Sequence, residues 1–75
     1  MLKEIDLNIL RYTVACVNEF ADRFNINGRV AFNYLKGYKA INFLINNYEI
    51  EHTLSIDDAV DDMVIVSKNN GGTIG

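Results

Sequence analysis

Two pairs of aspartates, Asp57 with Asp61 and Asp58 with Asp62, stand four residues apart in the run Asp57-Asp58-Ala59-Val60-Asp61-Asp62. On a helix that spacing stacks like charges above one another, a mild repulsion that the positive end of the helix dipole offsets in the first turn. Carboxylates in this pattern serve as a solvated face, as a surface for a basic partner, or as ligands for a divalent cation. The cation reading is the weakest. Calcium loops space their oxygens along an irregular turn, and helical carboxylates alone seldom close a cage.

The other reactive side chains are few. His52 is the only histidine and Cys16 the only cysteine. One imidazole without other soft ligands does not make a zinc site. Cys16 falls in the middle of an apolar stripe, where a thiol behaves as a small hydrophobe of raised pKa rather than as a nucleophile. His52 is expected to be a structural hydrogen-bonding residue just ahead of the acidic helix. Gly71 and Gly72 follow a helix instead of opening one, the wrong order for a phosphate-binding loop. No catalytic set, cofactor or metal is expected.

The elements that would position these groups are read from periodicity. Ile5, Ile9, Tyr12, Cys16, Val17, Phe20 and Phe24 recur at three-to-four-residue spacing, and Leu10, Val14 and Ala21 widen the stripe. A first helix therefore runs from Glu4 or Asp6 to about Phe24, ended by the turn Asn25-Ile26-Asn27-Gly28. Asn27 is a good N-cap for a second helix over 28–36, with Val30, Ala31, Tyr34 and Leu35 on one face. Gly37 is placed to stop it in the left-handed conformation. A third helix spans 39–47 on Ile41, Leu44, Ile45 and Tyr48, and Asn46-Asn47 is a second left-handed stop. Tyr48 to His52 alternates apolar and polar residues and reads as an extended connector. Ser55, with Asp58 three residues on, resembles a capping box for a fourth helix over 56–68 bearing Ile56, Val60, Met63, Val64 and Ser67. Residues 69–75 have no periodicity and read as a mobile tail, dispensable for folding. The fold class is all-α: one compact domain of about four helices, residues 1–68, with a short flexible C-terminal tail.

Composition bounds the rest. A chain of 75 residues has room for one core, which supplies only about 3–5 kcal/mol, so a partner or a second copy of the chain bears on its stability. A single cysteine excludes an internal disulfide framework. Lys3, Glu4 and Asp6 interrupt any leader, and no apolar run reaches the ~20 residues of a membrane span, so a cytoplasmic location is expected and no membrane partner. The net charge of −3 is unevenly spread. Residues 23–39 carry Arg23, Arg29, Lys36 and Lys39 without an acid, and residues 49–62 carry six acids without a lysine or arginine. Such a split either steers a partner or pairs internally across the fold.

Three stretches together resemble a known family. Val14 to Ala21 has the form V-A-C-V-x-E-F-A, Tyr48 to His52 a tyrosine–acid–x–x–histidine segment leading into D-D-A-V-D-D, and Asn69 to Gly72 an asparagine–glycine tail. In this pattern the chain is similar to a family of small, all-helical bacterial proteins classed as a domain of unknown function. Its members are often encoded beside ADP-ribosyltransferase-like proteins, an arrangement similar to toxin–antitoxin pairs. The resemblance implies a small non-catalytic partner that restrains such a protein. The contact candidates are Glu51 and His52, then Asp57, Asp58, Asp61 and Asp62, and finally Asn70, Gly71 and Gly72. The rival expectation is a small DNA-associated regulator using the basic segment 23–39, against which a helix bearing Ile41, Phe43, Leu44 and Ile45 offers little to base edges.

Overall fold

Five helices build the chain, in a computed structural model that describes residues 6–75: α1 Leu7–Phe24, α2 Gly28–Gly37, α3 Ala40–Asn46, α4 Tyr48–Glu51 and α5 Ile56–Asn69. No strand occurs among the described residues. Glu4 and Ile5, which the sequence places at the start of the first helix, lie outside them.

The helix boundaries follow from local hydrogen bonding. The Asp6 carboxylate accepts from the Asn8 N–H (2.7 Å) and opens α1. Asn27 accepts from Val30 N–H (2.9 Å) and Ser55 from Asp58 N–H (3.0 Å), as their N-cap chemistry predicts. At the far end of α1, Asn25 takes the left-handed conformation (φ 55°). Its N–H reaches the Asp22 carbonyl, and Ile26 N–H reaches back to Ala21 (3.0 Å). This is a Schellman closure, with Ile26 folded onto the core. The end of α5 repeats it with glycine: Gly71 N–H bonds Lys68 (3.2 Å) and Gly72 N–H bonds Ser67 (2.8 Å), with Gly71 at φ 103°.

Three local expectations are corrected. Gly37 does not carry the left-handed turn after α2; Lys39 does, at φ 74°. Tyr38 is the C-cap instead, its ring packed on Tyr34 (4.9 Å between centroids), and the chain turns one residue after it. Asn47 ends α3 at φ −115°, outside the left-handed region. The connector 48–52 is not extended, since Tyr48–Glu51 forms one helical turn. An isolated turn is too short to persist in water. Here side chains cap its carbonyls: His52 Nδ1 donates to Tyr48 (2.7 Å), Thr53 Oγ1 to Ile50 (2.6 Å) and the Tyr12 hydroxyl to Glu51 (2.8 Å).

The core lies where α1 crosses α2 and α5, with α3 closing it against α5 and α2. Phe20, Leu35, Leu44, Met63, Val60, Cys16 and Ser67 are its largest fully buried side chains. The α1 stripe is narrower than its sequence suggests. Leu10 and Val14 remain 47% and 50% exposed, as does Val30 on α2 at 51%. Ser67 is a cost within this core, since its hydroxyl has no hydrogen-bond partner among the described residues. Ser67→Ala should raise stability by roughly 1 kcal/mol, because an orphaned buried hydroxyl forfeits its hydration without recompense. A urea midpoint that falls in this variant would show that the hydroxyl has a partner.

The final residues lack regular secondary structure, yet they are not detached. Ile74 packs against the core and its N–H donates to the Tyr34 hydroxyl (3.0 Å). No described helix is long and apolar enough to cross a membrane.

Candidate interaction surface on α4 and α5

The four aspartates of α5 have different surroundings. Arg23, at the end of α1, reaches across to two of them. Its Nη1 lies 2.6 Å from Asp61 Oδ1, and its Nη2 lies 3.7 Å from Asp57 Oδ1 and 3.2 Å from the Asp57 carbonyl. Asp57 and Asp61 are well exposed, so the pairing adds little stability, but it spends their charge within the fold. The split between basic and acidic segments is therefore partly internal. Asp58, on the other face, is exposed and has no ion pair among the described residues.

Asp62 is half-buried, and its carboxyl acts on that of Glu51. Glu51 is only 5% exposed, and its Oε1 has no hydrogen-bond partner among the described residues. Burial, then the neighbouring Asp62 carboxyl through hydrogen bonding and charge, push the Glu51 carboxyl up to about 7. Behind it lies α1. The Tyr12 hydroxyl donates to the Glu51 carbonyl (2.8 Å). Burial raises the Tyr12 phenol well above its ordinary value, with Cys16, Glu51 and Tyr48 adding to the shift. The Cys16 thiol is pushed up to about 11, chiefly by burial, against a lowering contact with Tyr12. A thiol so held stays protonated at neutral pH, which makes it a poor nucleophile.

His52 is exposed and stacks flat on Tyr48 (4.4 Å, 11° between planes), which in turn meets Tyr12 edge-on (5.4 Å). Because a carbonyl only accepts, Nδ1 must carry the proton in its bond to Tyr48, leaving Nε2 outward. Asn70, Gly71 and Gly72 form the closing turn of α5, with Gly72 half-buried under Tyr34. The candidates thus do not form one surface group. His52, Asp57, Asp58, Asp61, Asn70 and Gly71 are exposed, Asp62 and Gly72 are half-buried, and Glu51 is inside.

Sequence reading missed two residues that organise this region. Arg23 is 38 positions from its partner Asp61, and Tyr12 is 39 from the carbonyl it holds. The only advance sign of Arg23 was the opposed charge of the two segments. A cavity of about 510 Å³ opens on the other side of α4, lined by Asp6, Ile9 and residues 45–50. Among the described residues no group of three or more His, Cys, Asp or Glu could hold a metal ion.

No curated protein and no solved structure matches the chain. One family model does, over residues 11–70, which takes in nearly all of the three stretches that carry the sequence resemblance, and the chain accordingly belongs to the family described as Protein of unknown function (DUF3791).

Proposed function

We propose that this chain is a bacterial, cytoplasmic, non-catalytic interaction module, an antitoxin-like partner that binds and restrains an ADP-ribosyltransferase-like protein. The observation that carries the interaction reading is the run from Glu49 to Asp58, in which Glu49, Ile50, His52, Leu54, Asp57 and Asp58 are all exposed. Ile50 stands 68% exposed and Leu54 37%, so hydrocarbon and acid share one continuous segment. Interfaces combine apolar anchors with a charged rim in this way, and the acids would speed encounter with a basic partner. The non-catalytic half is supported by Cys16, whose thiol is buried and protonated. The class of partner comes from the family resemblance alone.

The test is co-expression with an ADP-ribosyltransferase-like protein encoded beside the gene, with complex formation and NAD-dependent labelling measured. Asp58 is the acid to reverse, since Asp57 and Asp61 are tied to Arg23 and Asp62 is half-buried. Asp58→Lys should slow association several-fold at low salt and less at high salt. Absence of any complex with the unaltered chain would refute the reading. The DNA alternative draws on Arg29, Lys36 and Lys39, all exposed, with Arg23 already engaged. It would gain if duplex DNA bound with a steep salt dependence that Arg29→Glu with Lys36→Glu abolished.

A further inference from the structure

We infer that the cavity between the start of α1 and the α3–α4 junction receives an arginine side chain of a protein partner. The inference rests on the interaction-module reading and deepens it, naming the chemistry by which a partner is held beside α4.

The lining of this cavity combines hydrocarbon with acid. Its volume of about 510 Å³ falls within the usual span of ligand sites, roughly 300–1,000 Å³. Ile9 of α1, Ile45 of α3 and Ile50 of α4 border it, the first two half-buried and the last 68% exposed. Asp6 and Glu49 border it as well, and no lysine, arginine or histidine does among the described residues. Neither acid has an ion pair among those residues, and Arg23 is committed to Asp57 and Asp61. The charge of the lining therefore selects a cation. Two carboxylates without a third acid, histidine or cysteine beside them are a poor cage for a metal ion, so the cation is an organic one.

Hydrogen-bonding capacity narrows the choice to arginine. Asp6 Oδ1 already accepts the Asn8 N–H (2.7 Å) as the cap of α1, which leaves its second oxygen. Asn47 donates its Nδ2 to the Phe43 carbonyl (2.9 Å), which leaves its Oδ1 as an acceptor. Glu49 is exposed and contributes a whole carboxylate. The acceptors thus come from three places: the cap of α1, the end of α3 and the first turn of α4. A guanidinium carries five N–H donors in a flat fork and is weakly hydrated, so it serves several dispersed acceptors at once, where an ammonium acts as a point charge. Its alkyl stem lies along the isoleucines while the head stays with the acids, as long cationic side chains do at mixed surfaces. Glu49 carries the larger share of charge recognition, because Asp6 is engaged at the positive end of α1.

Titration of the isotope-labelled full chain with the blocked tripeptide acetyl-Gly-Arg-Gly-amide, followed through amide resonances at low salt, tests this. Saturable shifts are expected at Ile9 and at residues 45–50. The same tripeptide with citrulline, which keeps the shape and loses the charge, should bind roughly tenfold more weakly. Methylguanidinium, which keeps the charge and lacks the stem, should also bind more weakly than the arginine tripeptide. Glu49→Gln should weaken that tripeptide about three- to fivefold. Asp6→Asn, which retains a capping side chain, should weaken it less. Asp58→Asn, at an exposed acid outside the cavity, should leave binding unchanged. No saturable shift at 45–50, equal binding of the citrulline peptide or of methylguanidinium, or a loss in Asp58→Asn that matches Glu49→Gln would each overturn the inference. Nuclear Overhauser contacts from residues 1–5 to Ile45 in the ligand-free chain would overturn it too, by giving the cavity to the chain's own first residues. A failed titration beside a co-expressed complex that forms would sink the cavity assignment and leave the interaction-module reading standing. Tripeptide binding without any such complex would refute that reading and not the cavity.

Discussion

Replacing Phe20 with alanine is expected to cost about 3–5 kcal/mol and leave the chain largely unfolded at room temperature. The ring is fully buried and lies 4.8 Å from Phe24 and 5.8 Å from Tyr34, so it joins α1 to α2 at the centre of the core. Removing it deletes the burial of a large aromatic and leaves a cavity bounded by two other rings, which cannot collapse without moving a helix. A domain of this size has a total stability of the same order, about 3–5 kcal/mol. Circular dichroism and urea unfolding check the outcome, with Phe20→Leu as the conservative companion that should keep the fold. A loss below about 1 kcal/mol for the alanine variant would mean that the core repacks freely, contrary to the behaviour of close-packed interiors.

Gly72→Ala is the second large effect, expected at about 1–3 kcal/mol, the usual cost of forcing extra volume into a packed site. A methyl group there would overlap the Tyr34 hydroxyl and lie 2.9 Å from the Ser67 carbonyl oxygen. The carbonyl belongs to the closing turn of α5 and cannot retreat without breaking the Gly72 N–H bond to it. Tyr34 cannot retreat without losing Ile74, whose N–H it accepts, and its face-to-face contact with Phe20. The predicted result is a tail lifted off the core. Deleting residues 72–75 should therefore lower the urea midpoint by a similar amount. If the deletion leaves stability unchanged, the tail contributes nothing to the fold and the cost of Gly72→Ala must come from strain in the α5 turn.

These two positions divide the molecule between what its sequence dictates and what its packing adds. Phe20 was legible as core because an apolar residue every three or four positions has one stable use on a helix, burial against a neighbour. Asn27 and Ser55 were legible as caps because a short polar side chain bonds an amide three residues ahead, within its own turn. The all-α class follows from the same kind of local rule, and so do the ends of α1 and α5.

What the tertiary structure decided lies beyond that range. Tyr48-Glu49-Ile50-Glu51 alternates like a strand but forms a helical turn, capped locally by His52 and Thr53 and at its last carbonyl by Tyr12, far away in sequence. Glu51 counts as a surface acid in any local reading, yet the tertiary structure leaves it only 5% exposed. Asp57 and Asp61 look identical to Asp58 along the chain, and only the approach of Arg23 sets them apart. Gly72 looks like a free tail residue and is a contact because Tyr34 stands above it. Caps and periodicity act over about four residues, the reach of a side chain within one helical turn. Which charge meets which, and which acid loses its water, depends instead on how helices distant in sequence cross in space.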